Sequence, residues 1–525
     1  ATRESQRDSI RDQAISVSKL KSINLIGVRK QRGAEAKQNF FDIENLDFSY
    51  SYNEEKRNGF EIEDYAYKNV RLGAGYNYSF QPLTIKPLGK VESISTKKYL
   101  RWLSELNLNL LPSSITLGAN INRTFQSQRF RQVYLEGVDA SNQIALPDLQ
   151  QRNYLFDWLF TLNHNLTNSL RLDFSASSRN IVRNYMQDGP AGTTQVNTEL
   201  DIWDGLWDMG QMDRFDQSVG ATYQIPFRLF PVLSFLDGTY SYTGNFNWQR
   251  GSTSLANVVD QNNNALGIVH TIQNANTIQW NGSANMQSLY NSIGLKKNTN
   301  IKDKKKAKVK IKNTLVGLLT ALRRLQFTYS ENNGTVLPGY TQDIGFLGTS
   351  NPGFEFAMGR QKDIRFEAAK RGWLTEFPNF NQAYTTVHNT DINYNAQIDL
   401  LKGLQLDLTG NRSYSENASE NFSVVNGNYY ALSPRLFGNF EISTIMLSTA
   451  FSGNGLASQA FEDLKTNRLT IAQRLATARG VAPGDVDADG YPTGFGKNNQ
   501  AVLIPAFLAA YIGTDPNSVR MDAKR

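Results

Sequence analysis

The chain contains no cysteine, which removes disulfides, thiol nucleophiles and cysteine-ligated metals together. Histidine is scarce as well: His164, His270 and His388 are the only three in 525 residues. Each sits in a polar loop or at a strand end, outside any nucleophile or metal motif, and no G-x-S-x-G segment is present. A lipase or protease is therefore not the reading, and neither a catalytic site nor a cofactor is expected. Long apolar runs are missing too. A membrane-crossing helix needs about 18 apolar residues; the nearest stretches, Leu315 to Leu319 and Ala501 to Tyr511, are short, and Pro505 interrupts the second. The opening ATRESQRDSIRDQ has neither a basic start nor an apolar stretch after it, so the expectation is a removed leader or, preferably, a start inside a longer polypeptide.

Net positive charge is confined to one place. The net charge is +7, and Lys296 to Lys312 holds nine Lys against the single Asp303, so this segment carries +8 and the remainder about −1. Such local basicity does not describe a nucleic-acid binder.

Aromatics and small polar residues are plentiful: 23 Tyr, 29 Phe and 7 Trp stand beside abundant Asn, Ser, Gln and Gly. Their order is the informative feature. In Asp391 to Asn411, Ile392, Tyr394, Ala396, Ile398 and Leu400 alternate with Asp391, Asn393, Asn395, Gln397 and Asp399. Leu404, Leu406 and Leu408 resume the apolar row if Leu400 pairs with Leu404 across a loop Leu401-Lys402-Gly403. This is a long β-hairpin with arms of roughly ten residues, about what a tilted strand needs to cross a bilayer.

Similar alternation recurs through the chain. It appears at Leu46 to Tyr52, Leu72 to Phe80, Leu106 to Leu110 and, after a turn at Pro112, Ile115 to Ile121. It continues at Tyr154 to Leu162, Leu170 to Ala176, Val219 to Ile225, Tyr240 to Trp248 and Ile278 to Met286, with a weaker pair around Phe422 to Ala431 and Leu436 to Ala450. Gly73 and Gly75 lie within a strand pattern with no helix after them, so they do not make a phosphate loop. The expected fold class is all-β: an antiparallel transmembrane barrel, of which this chain forms a partial wall with about fourteen strands.

The domain expectation runs as follows: residues 1–42, a non-spanning leading segment; 43–288, strands and loops; 289–324, a Lys-rich segment with a helix; 325–450, strands with a large outer insert at 331–388; 451–525, a loop and cap region with short helices near Phe461 to Arg479 and Val502 to Tyr511. If the turns at Pro112, Asn168 and Lys402 face the periplasm, strand parity puts 289–324 on that side as its one long insertion. After the lysines, Asn313 or Thr314 is placed to cap an amphipathic helix with Leu315, Leu318, Leu319 and Leu322 at i, i+3, i+4 and i+7. Two uses fit it: an interfacial or partner-docking helix near anionic head groups, or a helix packed on the rest of the protein.

Asp485, Asp487, Asp489 and Gly490 match the first half of a calcium loop, in which alternate carboxylates converge on one cation. The second half is missing, because Gly496 stands where a bidentate Glu belongs, so a polar turn is the plainer reading.

Three segments carry a family resemblance: LPSSITLGANINRTFQSQRFRQ (111–132), PGFEFAMGRQKDIRFEAAKRGWLTEF (352–377) and YPTGFGKNNQAVLIPAFLAAYIGTDPNSV (491–519). They resemble the carboxy-terminal part of the SprA/Sov family, the outer-membrane translocon of the Bacteroidetes type IX secretion system. The resemblance implies a very large barrel in the bacterial outer membrane that passes folded cargo proteins to the cell surface. It also implies partners: other segments of the same polypeptide to complete the wall, a PorV-type protein at a lateral opening, a periplasmic plug, secreted cargo, and outer-membrane lipids. Met521 to Arg525 is not a closing aromatic strand, so the wall is expected to need those other segments. Two rival expectations use the same strands: a nutrient receptor or porin for small solutes, and a soluble β-sandwich or adhesin.

Overall fold

A computed structural model describes residues 7, 11, 14–33, 37–89, 107–131, 146–188, 194–230, 232–295, 316–345, 348–401, 404–443, 458–482 and 484–520. One antiparallel sheet of 13 strands dominates it. Its strands are β1 (Val17–Val28), β2 (Leu46–Asn58), β3 (Ile62–Ser79), β6 (Ser114–Phe130), β7 (Leu149–Asn165), β8 (Leu170–Ile181), β11 (Gln211–Ile225), β12 (Leu236–Gln249), β13 (His270–Asn285), β14 (Leu322–Tyr340), β15 (Tyr384–Leu401), β16 (Leu404–Val425) and β17 (Asn428–Ile442), each beside its neighbour in that order. The short strands β4 (Thr84–Ile85) and β5 (Leu108–Asn109) pair apart from the sheet, as do β9 (Met186–Asp188) and β10 (Thr194–Val196).

Every neighbouring pair is consecutive along the sheet, so the chain runs up and down without a crossover. Strands are long: β14 has 19 residues and β16 has 22, against about five or six in an ordinary strand. Among the described residues β1 and β17 each pair on one side only, and the sheet is not closed. Among the described residues no second large sheet packs against it, which is not a sandwich arrangement. Among the described residues no helix is long and apolar enough to cross a membrane.

The central hairpin lies in the anticipated register, with Ile398 opposite Leu406, Ala396 opposite Leu408 and Tyr394 opposite Gly410. The loop end differs. A bulge near Leu400 moves the last pair to Leu401 and Leu404, and Lys402 and Gly403 of the expected loop lie outside the described residues.

Several expected boundaries shift. The leading segment contains β1, paired with β2 from Val17 opposite Asn58 to Val28 opposite Phe48. Lys19 and Lys21 interrupt its apolar row, as suits an edge strand, and Lys21 forms an ion pair with Glu54 at 3.2 Å. The run at Leu106 to Leu110 is not a wall strand: Leu106 lies outside the described residues and Leu108 belongs to β5, while β3 pairs directly with β6. The connection from β3 to β6 is therefore a second long one, at the same end as those joining β7 to β8, β13 to β14 and β15 to β16.

The amphipathic helix is also corrected. Leu315 and the lysine run lie outside the described residues; Val316 to Leu319 are helical, but Leu322 begins β14 opposite Ile398. Arg323, at a bulge, forms an ion pair with Asp399 at 2.7 Å. A ladder along the whole of β15 outweighs a four-leucine helical pattern, because helices this short are marginal on their own. Connection 286–321 opens with α1 (Met286–Ser292), capped by Asn285.

The β14–β15 insert spans 341–383 rather than 331–388, since Glu331 to Tyr340 and Tyr384 to His388 are strand. It contains α2 (Phe354–Ala357) and α3 (Arg365–Lys370). The chain ends in an antiparallel-sheet-independent helical pair, α4 (Gln459–Ala478) and α5 (Gln500–Ile512), joined through a core of Ile471, Ala472, Val502 and Ala506. Helix α5 starts before Pro505 because Asn499 caps it, its side chain accepting from the Ala501 amide at 2.9 Å.

Candidate functional site

Residues opposite one another in an antiparallel pair place their side chains on the same face, so each ladder row can be followed across the sheet. One face is mostly polar. A row from Ser177 on β8 passes through Asp216, Asn247 and Gln273. Another joins Asn281, Thr328, Asn393 and Asn411. A hollow of about 730 Å³ opens on this face, lined in part by Asn281, Thr328, Asn393 and Asn411.

The opposite face has two zones. Toward the 166–169 and 402–403 end it is apolar and uncovered: Leu170, Tyr223, Tyr240, Trp280, Tyr329 and Ile392 form a single row. Trp280, Phe327, Tyr394 and Leu408 are 44%, 43%, 42% and 44% exposed. Exposure of so many large apolar side chains on one surface marks an apolar environment or partner outside it.

Toward the other end the long connections fold down onto this same face. The 341–383 insert seats Phe356 and Ala357 against Phe246, Trp248, Ile272 and Leu337 in a shared core. Polar side chains on the face are satisfied by the insert's backbone: Gln217 Nε2 donates to the Ala357 carbonyl at 3.0 Å, Asn274 Nδ2 to those of Phe356 and Arg360 at 3.0 and 2.9 Å, and Asn276 Nδ2 to that of Gly359 at 2.8 Å. The 182–210 connection does the same farther along, where Val182 and Ile202 pack on Val70 and Tyr154.

The apolar band runs obliquely to the ladder. One row starts at Leu117 and Phe160, in the band, and continues through Ala176, Gln217, Phe246, Asn274 and Thr335 beneath the insert. A band that crosses rows in this way is the geometry of strands tilted against it, as barrel strands are by roughly 35–45°.

In the insert, Arg365 reaches Asp363 at 2.7 Å and also hydrogen-bonds Glu420 on β16. Burial works to raise the Asp363 carboxyl, but the Arg365 hydrogen bonds outweigh it and hold that group below the ordinary carboxylate range. Lys362 hydrogen-bonded to Glu367 lowers that carboxyl in the same way.

The separate candidate residues are not assembled into a chemical site. His164 lies in β7 with Nε2 2.9 Å from the Asn109 carbonyl; His270 is buried at the start of β13; His388 lies within β15 beside Asn333 and Thr390. At the acidic turn Asp487 Oδ1 accepts from the amides of Asp489 and Tyr491 at 3.0 and 2.9 Å. Asp485 accepts from Thr493 Oγ1 at 2.7 Å, and Asp489 pairs with Lys497 at 2.9 Å. The three carboxylates serve the turn, and among the described residues no group of His, Asp or Glu is placed to hold a metal ion. Leu318 and Leu319 are exposed, and Leu322 belongs to the wall.

Residues missed by the sequence reading are the polar members of the apolar face. Gln217, Asn274 and Asn276 break the alternation, so β11 and β13 look shorter than they are. Thr271 and Ile272 are the β-branched residues that signalled the extension.

No protein-family model matches the chain, and no curated protein matches it.

Proposed function

We propose that this chain is part of the wall of a protein-conducting channel in the bacterial outer membrane, of the type IX secretion translocon kind that its sequence resembles. The observation that carries the reading is the two-faced sheet: long antiparallel strands, one face mostly polar, the other bearing an oblique, exposed apolar band. In a membrane the band faces lipid and the polar face lines water. Strand edges cannot remain open in hydrocarbon, so β1 and β17 join other segments of the same polypeptide. Barrel width grows with strand number, and a wall already 13 strands wide before completion suits a passage for folded proteins. The lining of Asn, Ser, Gln, Thr and Asp stays hydrated and offers cargo little apolar surface to adhere to. A PorV-type protein, a periplasmic plug, cargo and lipid are the partners of this reading. The protein performs no chemical step.

The test is the full polypeptide reconstituted into liposomes with the periplasmic end cleared. Passage of a folded reporter protein supports the channel; passage of small solutes alone would identify the nutrient-receptor or porin alternative.

A further inference from the structure

We propose that the turn 201–209, between β8 and β11, is a preformed anchor that inserts Trp207 and its neighbours into the lipid head-group region beside the wall. The inference rests on the apolar band being the lipid-facing surface.

Position comes first. Val70, Arg123 and Tyr154 stand on one ladder row of the apolar face, one step beyond Leu72, Ile121 and Phe156 at the margin of the band. Ile202 packs on Val70 and Tyr154, and the Trp203 ring lies 5.7 Å from that of Tyr52. The turn therefore lies against the outside of the wall and not over the polar face.

Rigidity is the second observation. Arg123 is 1% exposed, and its guanidinium donates to the carbonyls of Ile202 at 2.8 Å, Asp204 at 2.7 Å and also Gly205, while lying over the Tyr154 ring. Arg152 holds the preceding segment through the Asn197 and Leu200 carbonyls, both at 2.9 Å. A fully buried arginine spent on gripping three carbonyls fixes the turn before any partner arrives.

The third observation is what the turn presents. Trp207 is 82% exposed, Met209 62% and Trp203 39%. Holding a tryptophan almost wholly in water on a clamped turn is unfavourable unless something covers it, and indole is the side chain enriched at membrane–water interfaces. The carboxylates nearby are all engaged: Asp201 pairs with Lys68 on β3 at 2.7 Å, Asp204 accepts from the Asp201 amide at 2.7 Å, and Asp208 from the Gly210 amide at 2.9 Å. The occupant that fits is the interfacial layer of the adjoining leaflet, continuous with the band.

The test uses the full polypeptide in nanodiscs, in a background lacking other cysteines. Trp207→Cys, Leu325→Cys in the band and Ser330→Cys on the polar face each carry an environment-sensitive fluorophore. Lipids bear a quencher either near the head group or deep in the acyl chain. The expected result is loss of signal at 207 with the shallow quencher, loss at 325 with the deep one, and no loss at 330. Quenching at 325 with none at 207 overturns the anchor and leaves the band reading intact, as does shielding of 207 only when another protein co-purifies. No quenching at 325 overturns both.

Discussion

The side-chain amide of Asn274, on β13, donates to the backbone carbonyl of Phe356, in the 341–383 insert, at 3.0 Å. A polar strand residue on the largely apolar face thus serves as a fastener for a connection folded down from the sheet's end. A second bond to the Arg360 carbonyl at 2.9 Å completes the clasp.

Asn274→Leu leaves those carbonyls without their buried donor, which costs about 1–3 kcal/mol. The wall strands stay paired, because their ladder does not use this side chain. Amide hydrogen exchange is expected to accelerate across 354–371 and to stay unchanged in β15 and β16; uniform acceleration in both would show that the insert and wall are one cooperative unit.

Tyr394 covers Gly410 directly across β15 and β16: a Cβ added at Gly410 would approach the tyrosine ring to 2.2 Å. Gly410→Val therefore pushes aside the exposed far end of the ring, at a small cost of under about 1 kcal/mol. Adding Tyr394→Ala removes the obstruction, so the double variant should lose less than the sum of the singles. Thermal unfolding in detergent reads the cycle, and strict additivity would refute the contact.

Asp363 gives the insert an acid limit. Its carboxyl is held low in the fold by Arg365, so it contributes stability that is full above its unfolded value and is lost as pH falls through the folded one. Since an unfolded aspartate titrates near about 3.9, loosening is expected below about pH 4 and not between pH 5 and 8. Trp373, which packs on the insert core, is a natural fluorescence reporter. Asp363→Asn should abolish this acid step, and its persistence in that variant would assign it elsewhere.

At the acidic turn the structure predicts indifference to calcium. Asp487→Ala removes two backbone contacts and is expected to cost about 1 kcal/mol, equally with calcium or with chelator. A calcium-dependent rise in melting temperature that depends on Asp485 and Asp487 would overturn this.

Some features were readable without coordinates. The hairpin 391–411 was legible because both arms keep strict period two, and helix α4 because Phe461 to Arg479 carries a sustained helical pattern behind a capping serine. Asn426-Gly427, with φ of 50° and 73°, is the kind of dipeptide that tight hairpin turns require; it joins β16 to β17 inside what had looked like one continuous strand. Leu322 misled for the opposite reason: four leucines at helical spacing are a local signal, and a distant strand, β15, competed for the same backbone.

By itself the sequence determined the alternation within most strands and therefore the existence of two unlike faces, since side-chain direction in an extended chain follows from covalent geometry alone, whereas β1 and the division of β16 from β17 needed the ladder. Only the tertiary structure decided which part of the apolar face stays bare. Whether Gln217, Asn274 and Arg123 can sit on that face depends on carbonyls brought there by connections far along the chain, and no local pattern records those partners.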